Sequence, residues 1–252
     1  MPPKVTKRGR KTAKRELASS KLQSLVKKAI TANNNKMLET KHSLTTNTDG
    51  VEIGHNNMLV RSSVLLTTSQ GTSAPQGSLL NRVGDKITLT GLSVKCMFEL
   101  NERYSMATFR IFIVKSAKGD VPSSFNLWNG LSANKMIDSF NKERYTILTS
   151  KTFTIRQAST GMNPSGVQEI GSGYTIGVPL ISRATKIVKL WVPGNKLIKG
   201  KTLTYESGTS QPKFYDYHLI YYAYSNYSTS SGLSYNVGRV NDEVIQLYYK
   251  DA

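Results

Sequence analysis

The 252-residue chain has one cysteine, three histidines, two tryptophans and 16 acidic residues against 34 lysines and arginines. A lone Cys96 excludes an intrachain disulfide and a cysteine-based zinc site, and it fits a reducing compartment. His42, His55 and His218 are widely separated, with no H-x-x-x-H or comparable ligand spacing, so metal catalysis finds little support. No G-x-S-x-G elbow occurs. No apolar run approaches the roughly 18 residues of a spanning helix. The basic, polar N-terminus carries no apolar h-region, so neither membrane insertion nor secretion is expected. The formal net charge is +18, which points to a polyanionic partner. With 38% hydrophobic residues, the chain is long enough to bury a core in one large β domain or two small ones.

The charge is concentrated at one end. Residues 1–36 carry eleven cations and one acid, Glu16, a net of +10. The first fifteen residues hold too little apolar surface to offset their ordering entropy, so a mobile cationic arm is expected. Lys4, Lys7, Arg8, Arg10, Lys11, Lys14, Arg15, Lys21, Lys27 and Lys28 form the expected nucleic-acid-binding set. Each such cation that meets a phosphate releases condensed counterions, a gain that depends on salt and not on base sequence. A solubilising tail is the plain alternative. Lys7-Arg8-Gly9-Arg10-Lys11 followed by Lys14-Arg15 also has the form of a nuclear localisation signal, which adds host import machinery to the expected partners.

Residues 14–30 place Ala18, Leu22, Leu25, Val26 and Ala29 at helical spacing, flanked by Lys21, Lys27 and Lys28, with an end expected at Asn33–Asn35. A basic helix that docks on nucleic acid or under a protein shell is one reading, and an ordinary surface helix is the other. The segment lacks the aromatic residue expected of a membrane-surface helix.

From about residue 40 the texture is β. Short runs of β-branched and aromatic residues predict strands at Met58–Leu66, Lys86–Leu100, Thr108–Lys115, Tyr145–Ile155, Thr185–Val192, Tyr217–Tyr224 and Glu243–Tyr249. Within Lys86–Leu100 the apolar phase slips at Gly91, predicting a β-bulge. Asn134–Asn141 reads as a short helix. No repeat of fixed period is present, which favours a two-sheet Greek-key structure over a propeller or solenoid. The long loops Thr68–Leu79 and Ala158–Tyr174 suggest function or contacts. Ten of the 13 tyrosines lie between Tyr205 and Tyr249, divided between core and interface roles.

Two glycine motifs resemble phosphate loops. Gly194 to Gly200-Lys201-Thr202 has five residues between its glycines where a P-loop has four, and Gly171 to Gly177 misses the dinucleotide spacing by one. Both read as turns. Asn226-Tyr227-Ser228 is formally a glycosylation sequon, expected to stay unmodified. Cys96 and His218 read as core and strand residues.

The stretch Gly84-Asp85-Lys86-Ile87-Thr88-Leu89-Thr90-Gly91-Leu92-Ser93-Val94, then Phe109-Arg110-Ile111-Phe112-Ile113-Val114-Lys115, a loop with Pro122, Phe125-Asn126-Leu127-Trp128 and Glu143-Arg144-Tyr145-Thr146-Ile147-Leu148 resembles capsid proteins of small circular Rep-encoding single-stranded DNA viruses, the geminivirus-like and circovirus-like group. The similarity covers about residues 83–155, and the basic arm is a second point of agreement. No cysteine-histidine finger of the geminivirus type is present, so none is carried over. The resemblance implies an all-β single jelly roll of eight strands in two packed antiparallel sheets spanning 37–252, behind an arm spanning 1–36. It implies an icosahedral shell of roughly sixty copies and an inward arm on single-stranded DNA; no cofactor and no catalysis are expected, for want of any constellation of residues that could perform chemistry. Lys86, Lys95, Arg110 and Lys189 are candidate inner-surface cations, with a solvated outer face as the alternative. A capsid of a small RNA or satellite virus has the same layout. A non-viral single-strand-binding β module would instead interleave aromatics and cations on one face. A lectin or pore-forming toxin would not need the arm.

Overall fold

The computed structural model describes residues 20–30, 40–62, 64–71, 81–101, 104, 106–130, 132, 134–156, 184–225 and 236–251. Lys4, Lys7, Arg8, Arg10, Lys11, Lys14, Arg15, Ala18, Asn33–Asn35, the 158–174 loop, the 171–177 glycine motif and the Asn226 sequon lie outside the described residues, as does most of the 68–79 loop. The chain divides into two compact units between Thr40 and Lys41. In the first, residues 20–30 form helix α1, exposed along its whole length. Its Leu, Lys, Gln and Ala content favours helix. At about 100° per residue, Leu22, Leu25, Val26, Ala29 and Ile30 share one side. Lys21 edges that stripe, and Lys27 and Lys28 lie further round, one on either side. No described helix is long and apolar enough to cross a membrane.

The second unit is built from β1 (Lys41–Asn47), β2 (Val51–Gly54), β3 (Met58–Ser62), β4 (Lys86–Leu100), β5 (Met106–Ala117), β6 (Thr146–Arg156), β7 (Thr185–Pro193), β8 (Thr202–Thr204), β9 (Tyr215–Tyr224) and β10 (Asn236–Asp251), with one helical turn, α2 (Gly194–Leu197), between β7 and β8. Sheet A runs β1-β10-β4-β7, and sheet B runs β3-β9-β5-β6. β1 and β2 pair successive stretches of β10, and β7 and β8 successive stretches of β4, so ten strands fill eight positions. Every pairing between them is antiparallel. The pairs nest along the chain: β1 with β10, β3 with β9, β4 with β7, and β5 with β6. Such nesting is one long hairpin rolled across two sheets. The fold is a jelly roll.

The two sheets enclose the main core. Leu92, Val94, Cys96 and Phe98 of β4 meet Phe109, Ile111, Phe153, Leu219 and Tyr221 of sheet B. Phe98 makes edge contacts with Phe153 at 4.9 Å and Tyr221 at 5.7 Å, and Phe109 stacks on Phe153 at 5.8 Å. The slip at Gly91 is a bulge: Tyr248 opposes Gly91 while Tyr249 opposes Leu89, leaving Thr90 unopposed.

The two outer faces differ. On sheet B, the segment joining β5 to β6 folds back and seals a second apolar cluster of Phe112, Val114, Leu127, Trp128, Tyr145, Ile220 and Tyr222. The central strands β5 and β9 are therefore buried on both faces. That matches their unbroken apolar runs, Ile111–Val114 and Leu219–Ala223. On sheet A, β7 alternates strictly, with Val188, Leu190 and Val192 inward and Ile187, Lys189 and Trp191 exposed.

All seven expected strands are present; β1, β2 and β8 were not anticipated. The expected helix at Asn134–Asn141 is a correction, because these residues form turns and an isolated bridge from Phe140 to Trp128. The Asn134 side chain accepts the Met136 N–H at 2.9 Å, and Phe140 stacks on Trp128 at 4.8 Å. Local side-chain bonding and tertiary stacking outweigh the weak tendency of so short a segment to be helical.

Candidate nucleic-acid and assembly surfaces

Of the ten expected phosphate contacts, the described residues include Lys21, Lys27 and Lys28, all exposed on α1. No acid interrupts residues 20–30, so this helix carries charge of one sign beside its apolar stripe.

Lys86, Lys95 and Lys189 stand exposed on the outward face of sheet A. Lys95 and Lys189 are register partners, side by side on adjacent strands. The next outward row pairs Ser93 with Trp191, and the row after it holds Gly91, Pro193 and Tyr248. Trp191 is 52% exposed. Its indole lies across Gly91, where a Cβ would overlap Cζ2 and Cη2, and it meets the Tyr248 ring at 5.7 Å and 57°. Sequence reading identified both lysines and missed Trp191. The available signal was parity, because Trp191 falls on the same side of an alternating strand as Lys189.

Arg110 is neither an inner-surface nor a solvated outer cation, which corrects the expectation. Half-buried beneath the β5–β6 segment, it lies over the Phe140 ring at 4.4 Å and donates to the Ser150 hydroxyl at 3.2 Å and the Met136 carbonyl at 3.4 Å. Burial pushes its pKa down. The same segment is clamped at its base. Arg144 donates to both oxygens of Asp120 at 2.8 Å, and the Tyr145 hydroxyl adds a third bond at 3.0 Å. The hydrogen bond from Arg144 is the largest cause holding the Asp120 carboxyl below its ordinary value. The Arg-Tyr pair quoted for the family resemblance therefore has a mechanical role: it ties the start of the Pro122 loop to the start of β6. Beyond the clamp, Phe125 is 91% and Ile137 77% exposed.

Cys96 and His218 are interior residues, as expected. The Cys96 thiol lies 3.4 Å from the Tyr221 hydroxyl, and burial pushes its pKa up to about 12. Tyr221 in turn donates to the buried Glu243 carboxylate at 2.8 Å. His218 has Ser62 Oγ at 3.0 Å from Nδ1 and Ser116 Oγ at 3.0 Å from Nε2. Because the Ser116 hydroxyl donates to the Asp120 carbonyl at 2.7 Å, it accepts from Nε2–H, and Nδ1 accepts from Ser62. Burial lowers the His218 pKa. The P-loop lookalike is the α2 turn followed by a left-handed corner at Gly200 and Lys201. A Cβ at Gly194 would strike the Leu89 backbone, so this glycine serves close packing against β4.

No protein-family model matches the chain, and no curated protein matches it in sequence. Among solved structures the chain is similar to Desmodium yellow mottle tymovirus, at 8% identity and a TM-score of 0.33, over 84% of this chain and 87% of that one. It is also similar to empty-head turnip yellow mosaic virus, at 10% identity and a TM-score of 0.34, over 85% and 82%. The VP2 subviral particle of infectious bursal disease virus aligns at 8% identity and a TM-score of 0.20, over 84% of this chain and 42% of that one. Scores of this size assign neither family nor function. The nested strand order carries the fold by itself.

Proposed function

We propose that this chain is a non-catalytic viral capsid subunit that assembles with its own copies into a small closed shell and packages a single-stranded DNA genome through residues 1–36. One combination carries the reading: a stretch with eleven cations and one acid stands directly ahead of the first strand of a jelly roll. A jelly roll alone hosts many functions. The one-sided placement of charge outside the fold is what separates a genome-packaging subunit from the other uses of the architecture.

With roughly sixty subunits, arms of +10 would bring on the order of 600 positive charges to the packaged phosphates, driven by counterion release. Exposed Phe125 and Ile137 support self-assembly, since a monomer leaves these side chains in water while a subunit interface buries them. The DNA assignment rests on the sequence resemblance over residues 83–155, and the basic run at 7–15 supports assembly in the host nucleus.

Deletion of residues 1–36 tests the arm. The shell unit is expected to remain soluble and β-folded while co-purifying nucleic acid is lost, read as a fall in the 260/280 nm absorbance ratio. Undiminished nucleic acid in the deletion refutes the arm's role. Digestion of the packaged material by DNase and not by RNase is expected; the reverse supports the RNA-virus alternative.

A further inference from the structure

We propose that the outward face of sheet A is a second contact for single-stranded nucleic acid, separate from the arm, with Trp191 as a base-stacking platform and Lys95 and Lys189 as its phosphate partners. The inference draws on the packaging role only for the source of the strand; the surface itself is defined by the sheet.

Trp191 contributes nothing to the main core, which β7 already fills with Val188, Leu190 and Val192. Its ring is nevertheless held in place. Gly91 supplies the bare backbone on which the indole lies, and Tyr248 braces its edge. An aromatic plane that is fixed and half in water offers a π-face at little ordering cost, the property that stacking platforms use.

The lysines complete the site. Lys95 and Lys189 occupy directly opposed positions on neighbouring strands, an arrangement that repels unless an anion sits between them. Neither forms an ion pair among the described residues. They lie one outward row from Trp191, about 7 Å along the strand. Asp242, a carboxylate on this face, sits opposite Met97, on the far side of the lysine pair from Trp191. Lys86 adds a cation further along β4, past the bulge.

Charge and shape together select the occupant. An acidic peptide satisfies the lysines but gives a braced indole nothing to stack on. Duplex DNA has the phosphates, but its bases are already stacked. A single strand supplies an unstacked base and its own adjacent phosphates, and such recognition tolerates any base.

The chain has two tryptophans, of which Trp128 is 5% and Trp191 52% exposed, so intrinsic emission reports on this face. Titration of the full chain with oligothymidylate, at low salt and at about 0.5 M salt where arm contacts are weakened, is expected to quench emission saturably. Trp191→Ala is expected to abolish the quench and weaken binding at high salt by about fivefold or more. Gly91→Val keeps the indole and both lysines but unseats the ring, and a partial loss is expected. Replacing Lys95 and Lys189 together by Gln is expected to flatten the slope of log affinity against log salt by about 1.4. Emission unmoved by the oligonucleotide, or unchanged high-salt affinity in Trp191→Ala, overturns the proposal. So does emission that follows subunit concentration and not the oligonucleotide, which would make this face a contact between copies. Neutralising the cations of residues 4–15 is expected to reduce low-salt binding and leave the high-salt quench intact, so failure of the arm reading and failure of this one are distinguishable.

Discussion

His218 is enclosed by hydroxyls that fix its polarity: Nε2–H donates to Ser116, Ser116 donates to the Asp120 carbonyl, and Nδ1 accepts from Ser62. That network suits a neutral imidazole, and burial lowers the pKa below its ordinary 6.5. The folded state therefore binds this proton less readily than the unfolded chain. Stability is predicted to fall as pH drops below 6.5 and to go on falling until the folded imidazole titrates. Asp120 acts in the same direction at lower pH. Its carboxyl is held below the ordinary 3.8, so its contribution is present above that value and lost as pH falls through the folded pKa. Thermal unfolding followed at about pH 7, 5.5, 4 and 2.5 is expected to show both losses. His218→Gln should lower the melting temperature at neutral pH and remove the first step, and Asp120→Asn should remove the second. A melting temperature flat across this range contradicts both assignments.

Between elements, the sheets are joined by polar groups as well as by apolar packing. Tyr221 of β9 reaches across the core to Glu243 of β10, with Cys96 of β4 at its hydroxyl and Arg61 of β3 3.6 Å from the carboxylate. Tyr221→Phe removes a donor from a buried carboxylate and is expected to cost about 1–2 kcal/mol, read as a lower urea midpoint at unchanged slope. An unchanged midpoint shows that the bond contributes nothing net. The strongest elements were legible because their side chains alternate or run unbroken: β4 with its slip at Gly91, β7 with its strict alternation, and β5 and β9 with continuous apolar stretches. β1 was not, since Leu44 is the one large apolar residue in Lys41–Asn47 and it faces water. Nor were the short edge strands β2 and β8, whose pairing depends on β10 and β4. Met136 and Phe140 sit four apart, which suits a helix as well as a folded loop. The partners that decide between these, Trp128 and Arg110, come from elsewhere in the chain.

For the whole molecule, one chain divides its charge from its packing. The net +10 of residues 1–36 was plain in the sequence, whereas the face carrying Lys95, Lys189 and Trp191 was not, because only register across β4 and β7 brings them together. Arg110 misled for a different tertiary reason: its strand is covered on the outer side by the β5–β6 segment, which no local pattern reveals. The account centres on assembly around a polyanion, and the most direct measurement is electron microscopy of the purified full-length protein combined with its 260/280 nm absorbance ratio across a salt series. Closed shells of uniform diameter carrying nucleic acid are predicted. A lone subunit with a protein-only spectrum at every salt concentration contradicts the account.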